Sequence, residues 1–134
     1  MIKRDFFSSI MLSTIPHFFS LYFTCDNFFY SAIIFTSTIT SLLWHRYKEP
    51  NNILLYLDYG SATILTSYEI YTAYNISKYL YIISLSTNIY ILIFNKLVYF
   101  LSIERVINYN LWHTIYHLLS SFKTTLIAFL IYIK

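Results

Sequence analysis

His113 and His117 stand four residues apart in the segment LWHTIYHLL. On an α-helix that spacing puts both imidazoles on one face. A third nitrogen from another helix would complete the three-histidine set of a catalytic zinc ion with an open fourth position. His45, in TSLLWHRYKEP, is the candidate for that third ligand. Such a metal makes the water in its open position acidic enough to ionise near neutrality. Asp58, thirteen residues after His45, could orient that water, take its proton and offset the charge of the ion. Ser41, one helical turn before His45, could hydrogen-bond the water or a substrate carbonyl.

Each of these residues also has a plainer role open to it. A serine in an apolar helix commonly bonds its own backbone, and His45 between Trp44 and Tyr47 suits an interfacial anchor. Two histidines four apart can simply line a helix interface. Asp58 is harder to set aside, because a carboxylate in apolar sequence needs a partner or a task.

The elements that carry these residues are written in the composition. Of 134 residues, 57% are hydrophobic and only 11% charged, less than half the charge of an ordinary soluble domain (about 25%). Most of the polar remainder is Ser, Thr and Asn, which enter a membrane helix without stranding a charge. The chain reads as one all-α transmembrane domain over residues 1–134, a polytopic helix bundle of about five spans. Charges mark the loops and place the spans near Phe6–Phe23, Phe28–Trp44, Ile53–Tyr71, Tyr79–Phe94 and Leu111–Ile133. Each is roughly 16–23 residues, about what the hydrocarbon core requires. The stretch Leu97–Ile107 reads as an interfacial helix or an extension of its neighbours.

Orientation follows the basic residues in the flanks. Lys3, Arg4, Arg46, Lys48, Lys96 and Arg105 share one side, against Lys78 and Lys134 on the other. The N-terminus is therefore expected in the cytoplasm and the C-terminus on the opposite side, with the sequon Asn75-Ile-Ser77 there too, close to the bilayer. With that threading, Ser41, His45, Asp58, His113 and His117 all fall in the cytoplasmic leaflet. Glu69 and Lys123 fall together in the other leaflet, where an ion pair would tie the third span to the fifth. Snorkelling to the headgroups is the alternative. His17, after Pro16, reads as a packing residue. The single cysteine, Cys25, excludes an internal disulfide and a multi-cysteine metal site. A net charge of +3 is too small to argue for nucleic acid.

The set Ser-x-x-x-His in TSLLWH, Asp in LDYGSATI and His-x-x-x-His in LWHTIYHLL resembles the signature of the CREST membrane hydrolases. That superfamily holds the alkaline ceramidases, the adiponectin and progestin receptors with the hemolysin III proteins, and the GPI-remodelling lipases. The resemblance runs from Ser41 to His117. It implies a Zn2+ ion on His45, His113 and His117, with Ser41 and Asp58 as catalytic groups, acting on a lipid amide or ester. The chain departs from the family in length: seven spans need roughly 140 residues before any loop. A shortened member lacking one helical pair between Asp58 and His113 would keep every later residue on its leaflet. A second copy could then close the site as a homodimer. Family members often carry an aromatic-His pair at the second histidine of the last motif, and in that register Tyr109 takes the first ligand position and His117 becomes extra.

Three functions follow from these readings. One is a small zinc-dependent hydrolase, ceramidase-like, whose substrate stays in the bilayer. The second is a non-catalytic receptor-like or membrane-remodelling member of the same fold. The third is an unrelated multispan protein whose histidine pair holds haem or nothing. Zinc content separates the third from the others, and turnover of a labelled lipid separates the first two.

Overall fold

The computed structural model describes residues 9–47, 52–104 and 107–134, with all their side chains except those of Ser9 and Met11. Among these residues the structure is all-helical, with no strand. It comprises α1 (Ser9–Thr14), a 3-10 turn (Ile15–Phe19), α2 (Ser20–Thr24), α3 (Phe28–Arg46), α4 (Asn52–Ile76), α5 (Lys78–Ile103) and α6 (Tyr109–Tyr132). The first three follow one another without a gap, so the described residues make five rods.

Local chemistry sets the starts of the rods. Asn27, Ser77 and Asn108 each accept a hydrogen bond on the side chain from the backbone N–H three residues on, at Tyr30, Leu80 and Leu111. Each thereby satisfies one of the donors that a helix N-terminus leaves open. Ser77 has an extended backbone (φ −163°, ψ 150°), and that one residue separates α4 from α5. The break in the first rod sits at Pro16. Proline has no N–H to offer the preceding turn, and the helix tightens locally into the 3-10 form.

Each rod from α3 onward packs on the next, and α6 closes back on α1 and α2. Pairs such as Thr40 with Ser61, 2.7 Å apart, and Tyr74 with Tyr81 show α3 and α4, and α4 and α5, lying side by side as hairpins. Tyr30, Ile34, Leu65 and Ala128 form a buried apolar cluster where α3, α4 and α6 meet.

The helices over the second, third and fourth expected spans run beyond them, and the fifth starts two residues earlier and ends one earlier than expected. The segment before residue 9 lies outside the described residues, as do Lys3, Arg4, Lys48 and Arg105, which carried much of the orientation argument. Leu97–Ile103 continues α5 and does not form an interfacial helix of its own. Two helices, α5 and α6, are long and apolar enough to cross a membrane; α3 and α4 have the length with a lower hydropathy.

The distribution of side chains is inverted relative to a water-soluble bundle. Buried positions are rich in polar and charged groups, among them Glu69, Lys123, Asn88 and three histidines. Large apolar side chains such as Phe28, Phe29, Ile64, Tyr79, Ile93 and Phe122 point outward. A contiguous apolar exterior of this extent is what a lipid or protein contact surface looks like.

Candidate metal centre

His45 lies in the last turn of α3, and His113 and His117 lie in the second and third turns of α6. All three are buried, at 6%, 8% and 5% exposure. Their Nε2 atoms form a triangle: 2.8 Å from His117 to His45, 3.2 Å from His117 to His113, and 3.4 Å from His113 to His45. The rings meet at steep angles, 67°, 90° and 86°, so the nitrogens converge while the ring bodies splay apart.

Protons cannot satisfy this triangle. An imidazole nitrogen either carries a hydrogen and donates or lacks one and accepts. Of three nitrogens in mutual contact, two must be alike, and their contact is then donor to donor or acceptor to acceptor. A cation at the centre removes the conflict, since all three lone pairs can point at it. The edges bracket the roughly 3.3 Å expected between nitrogens on a tetrahedral zinc ion at 2.0–2.1 Å. The three histidines are thus close enough to bind one metal ion.

Tyr109 does not displace His117 from the nitrogen cluster. It lies one turn earlier on α6 with its ring stacked on His113 (centroids 4.8 Å, 18°). Tyr116 stacks on the same imidazole at 5.4 Å, so the ring of His113 is held between two aromatic neighbours of its own helix.

The triangle opens into a cavity of about 710 Å³. Ser41 and Asp58 both line it, half-buried, with the Ser41 hydroxyl close to the Asp58 carboxylate. The hairpin of α3 and α4 that makes this contact is pinned close by through the hydroxyls of Thr40 and Ser61, and Ser61 also donates to the Asp58 carbonyl at 3.0 Å. The cavity therefore gathers all five residues singled out from the sequence.

It also gathers one that sequence reasoning placed elsewhere. His17, expected as a packing residue, lines the same cavity from the 3-10 turn. A lone histidine after a proline carries no spacing signal. Its neighbour Thr14 is three residues away, but Ser120 is 103 residues away in sequence.

Deeper along the bundle lies a second polar cluster. Lys123 on α6 bonds Glu69 on α4 at 2.6 Å and the Asn88 side-chain carbonyl on α5 at 2.9 Å. Asn88 in turn donates to Glu69 at 3.4 Å, and the Tyr30 hydroxyl of α3 donates to the other Glu69 oxygen at 3.4 Å. Four helices thus share one buried ion pair, which favours pairing over snorkelling for Glu69 and Lys123. Asn88 and Tyr30 were absent from the expectation, because neither carries a charge that flags it in sequence.

No protein-family model matches this chain, and neither the curated proteins nor the solved structures offer a match to it.

Proposed function

We propose that this chain is a five-span membrane protein, a shortened relative of the CREST hydrolases, that uses a zinc ion to cleave a lipid amide or ester. The observation that carries the reading is the Nε2 triangle of His45, His113 and His117 facing a cavity that also holds Ser41 and Asp58. The bundle that holds it supports a bilayer setting: its exterior is apolar, its interior polar, and two of its helices pass for spans by length and composition.

When bound, a zinc ion with three neutral nitrogen ligands and an open position supplies Lewis acidity to a carbonyl oxygen and makes water a nucleophile near neutral pH. Nitrogen donors in a triangle of this size suit zinc, and the family resemblance points the same way. Asp58 is the proton acceptor, and the Ser41 hydroxyl beside it in the cavity orients its carboxylate. Burial of the triangle keeps bulk water from competing for the ligands. The apolar exterior lets a lipid substrate arrive laterally, and the N-terminus lies in the cytoplasm, which puts the cavity in the cytoplasmic leaflet.

The experiment is metal analysis of the detergent-purified full chain, followed by turnover of a fluorescent lipid amide and of a lipid ester. One zinc per chain with cleavage of either lipid supports the proposal. One zinc without cleavage of any lipid tested turns the reading to a non-catalytic member of the fold. A chain that never takes up zinc overturns it.

A further inference from the structure

We propose that His17 is a substrate-contacting residue of this cavity, whose Nε2 accepts a hydrogen bond from a donor on the bound lipid beside the scissile carbonyl. The inference rests on the hydrolase reading for the identity of the ligand, and on the local geometry of His17 for the chemistry of the contact.

The geometry fixes which ring nitrogen does what. Nδ1 of His17 lies 3.2 Å from the Thr14 carbonyl oxygen. A carbonyl oxygen only accepts, so Nδ1 carries the hydrogen. In the neutral ring Nε2 then has a lone pair and no hydrogen. That nitrogen faces Ser120 on α6 at 3.4 Å, at the long end of the hydrogen-bond range. Thr14, His17 and Ser120 line the same cavity as the histidine triangle. The ring is held at its back by the Thr14 carbonyl and at its front by a longer contact with Ser120, which an incoming donor can displace.

Ser120 is one turn beyond His117 on α6, so His17 stands deeper along the cavity than the metal ligands. His17 and the triangle line one cavity, so a lipid whose carbonyl lies at the triangle has room to place its next groups beside His17. The ligand that complements a fixed acceptor is one with an N–H or O–H at that place. A secondary amide has its N–H directly beside the carbonyl; an ester has an oxygen there and no hydrogen to give. A site built to accept such a hydrogen bond discriminates against the analogue that lacks it, because Nε2 then keeps only its long contact with Ser120.

The 3-10 turn at Ile15–Phe19 holds the Thr14 carbonyl within reach of the His17 imidazole.

The test uses two fluorescent lipids with the same acyl chain and alkyl group, one joined by a secondary amide and the other by an ester. Their affinities for the purified full chain are compared in wild type, His17→Ala and His17→Gln, with zinc content and initial hydrolysis rates measured beside them. The wild type is expected to favour the amide by about tenfold. His17→Ala should bring that ratio near one with zinc unchanged. His17→Gln, which keeps a carbonyl acceptor near the position of Nε2, should retain most of it. A ratio that is the same in wild type and His17→Ala overturns the proposal, as does a wild type with no preference. If His17→Ala fails to fold, His17→Gln decides: a folded, zinc-loaded variant with a ratio near one also overturns it. Absence of cleavage in all proteins overturns the hydrolase reading alone, because the binding ratio reads His17 by itself.

Discussion

The Lys123 ammonium on α6 lies 2.6 Å from the Glu69 carboxylate on α4, and both groups are buried, at 6% and 0% exposure. The pair joins the helix that carries Asp58 to the helix that carries His113 and His117. A buried ion pair is weak evidence for net stability, since desolvation offsets much of the attraction. Its effect is to fix which face of α4 meets α6, because any other rotation would leave both charges unpaired. Breaking it from one side is another matter. Glu69→Gln or Lys123→Met alone is expected to destabilise the bundle by about 3–5 kcal/mol. The double variant should cost less than the sum of the two. Denaturation of the detergent-solubilised protein checks this, and additive losses would show that the two groups are not coupled.

The histidine triangle predicts one zinc ion per chain. His45→Ala, His113→Ala and His117→Ala should each weaken zinc by more than the 10–100-fold that loss of an outer-shell partner costs. Equilibrium dialysis against zinc with elemental analysis reads the result. Full zinc in both His113→Ala and His117→Ala would remove α6 from the site.

Loss of Asp58 or Ser41 should separate binding from turnover. Asp58→Asn is expected to keep its zinc while lowering lipid hydrolysis by about 10²–10⁴-fold, the usual contribution of a positioned proton acceptor. Ser41→Ala should fall less, because it removes the group that orients Asp58 rather than the acceptor. A variant at Asp58 with wild-type turnover would exclude it as the acceptor.

Zinc should also stabilise the fold, because the triangle exists only when α3 and α6 are docked. At free zinc about 100 times the dissociation constant the gain is roughly 2.7 kcal/mol. The thermal midpoint should therefore fall on chelation in the wild type and stay put in His117→Ala. Equal shifts in the two proteins would place the bound metal elsewhere.

The proposed five-span reading requires the termini to lie on opposite sides. Reporter fusions at residues 1 and 134 should give opposite signals, the N-terminal one cytoplasmic. Like signals at both ends would require an even number of spans.

The sequence alone determined that the chain is helical, where the rods break and which residues share a helix face. Those properties are local. Asn27, Ser77 and Asn108 cap the backbone within one turn, and the spacing of His113 and His117 puts both rings on one side of α6 whatever surrounds them. The shared depth of His45, Asp58 and the histidine pair was legible too, because charges at the ends of apolar runs register each span. Rotation about the helix axes was not. Only the packed bundle decided that His45 turns inward to within 2.8 Å of His117, and that Tyr109 stacks its ring on His113 while His117 joins the nitrogen triangle. The same packing brings His17 to the cavity and sets Asn88 and Tyr30 around Glu69. On rods that are apolar outside and rich in Ser, Thr and Tyr, hydropathy marks no clear inner face. The rotation is selected by mutual satisfaction of buried polar groups, a condition that involves several helices at once.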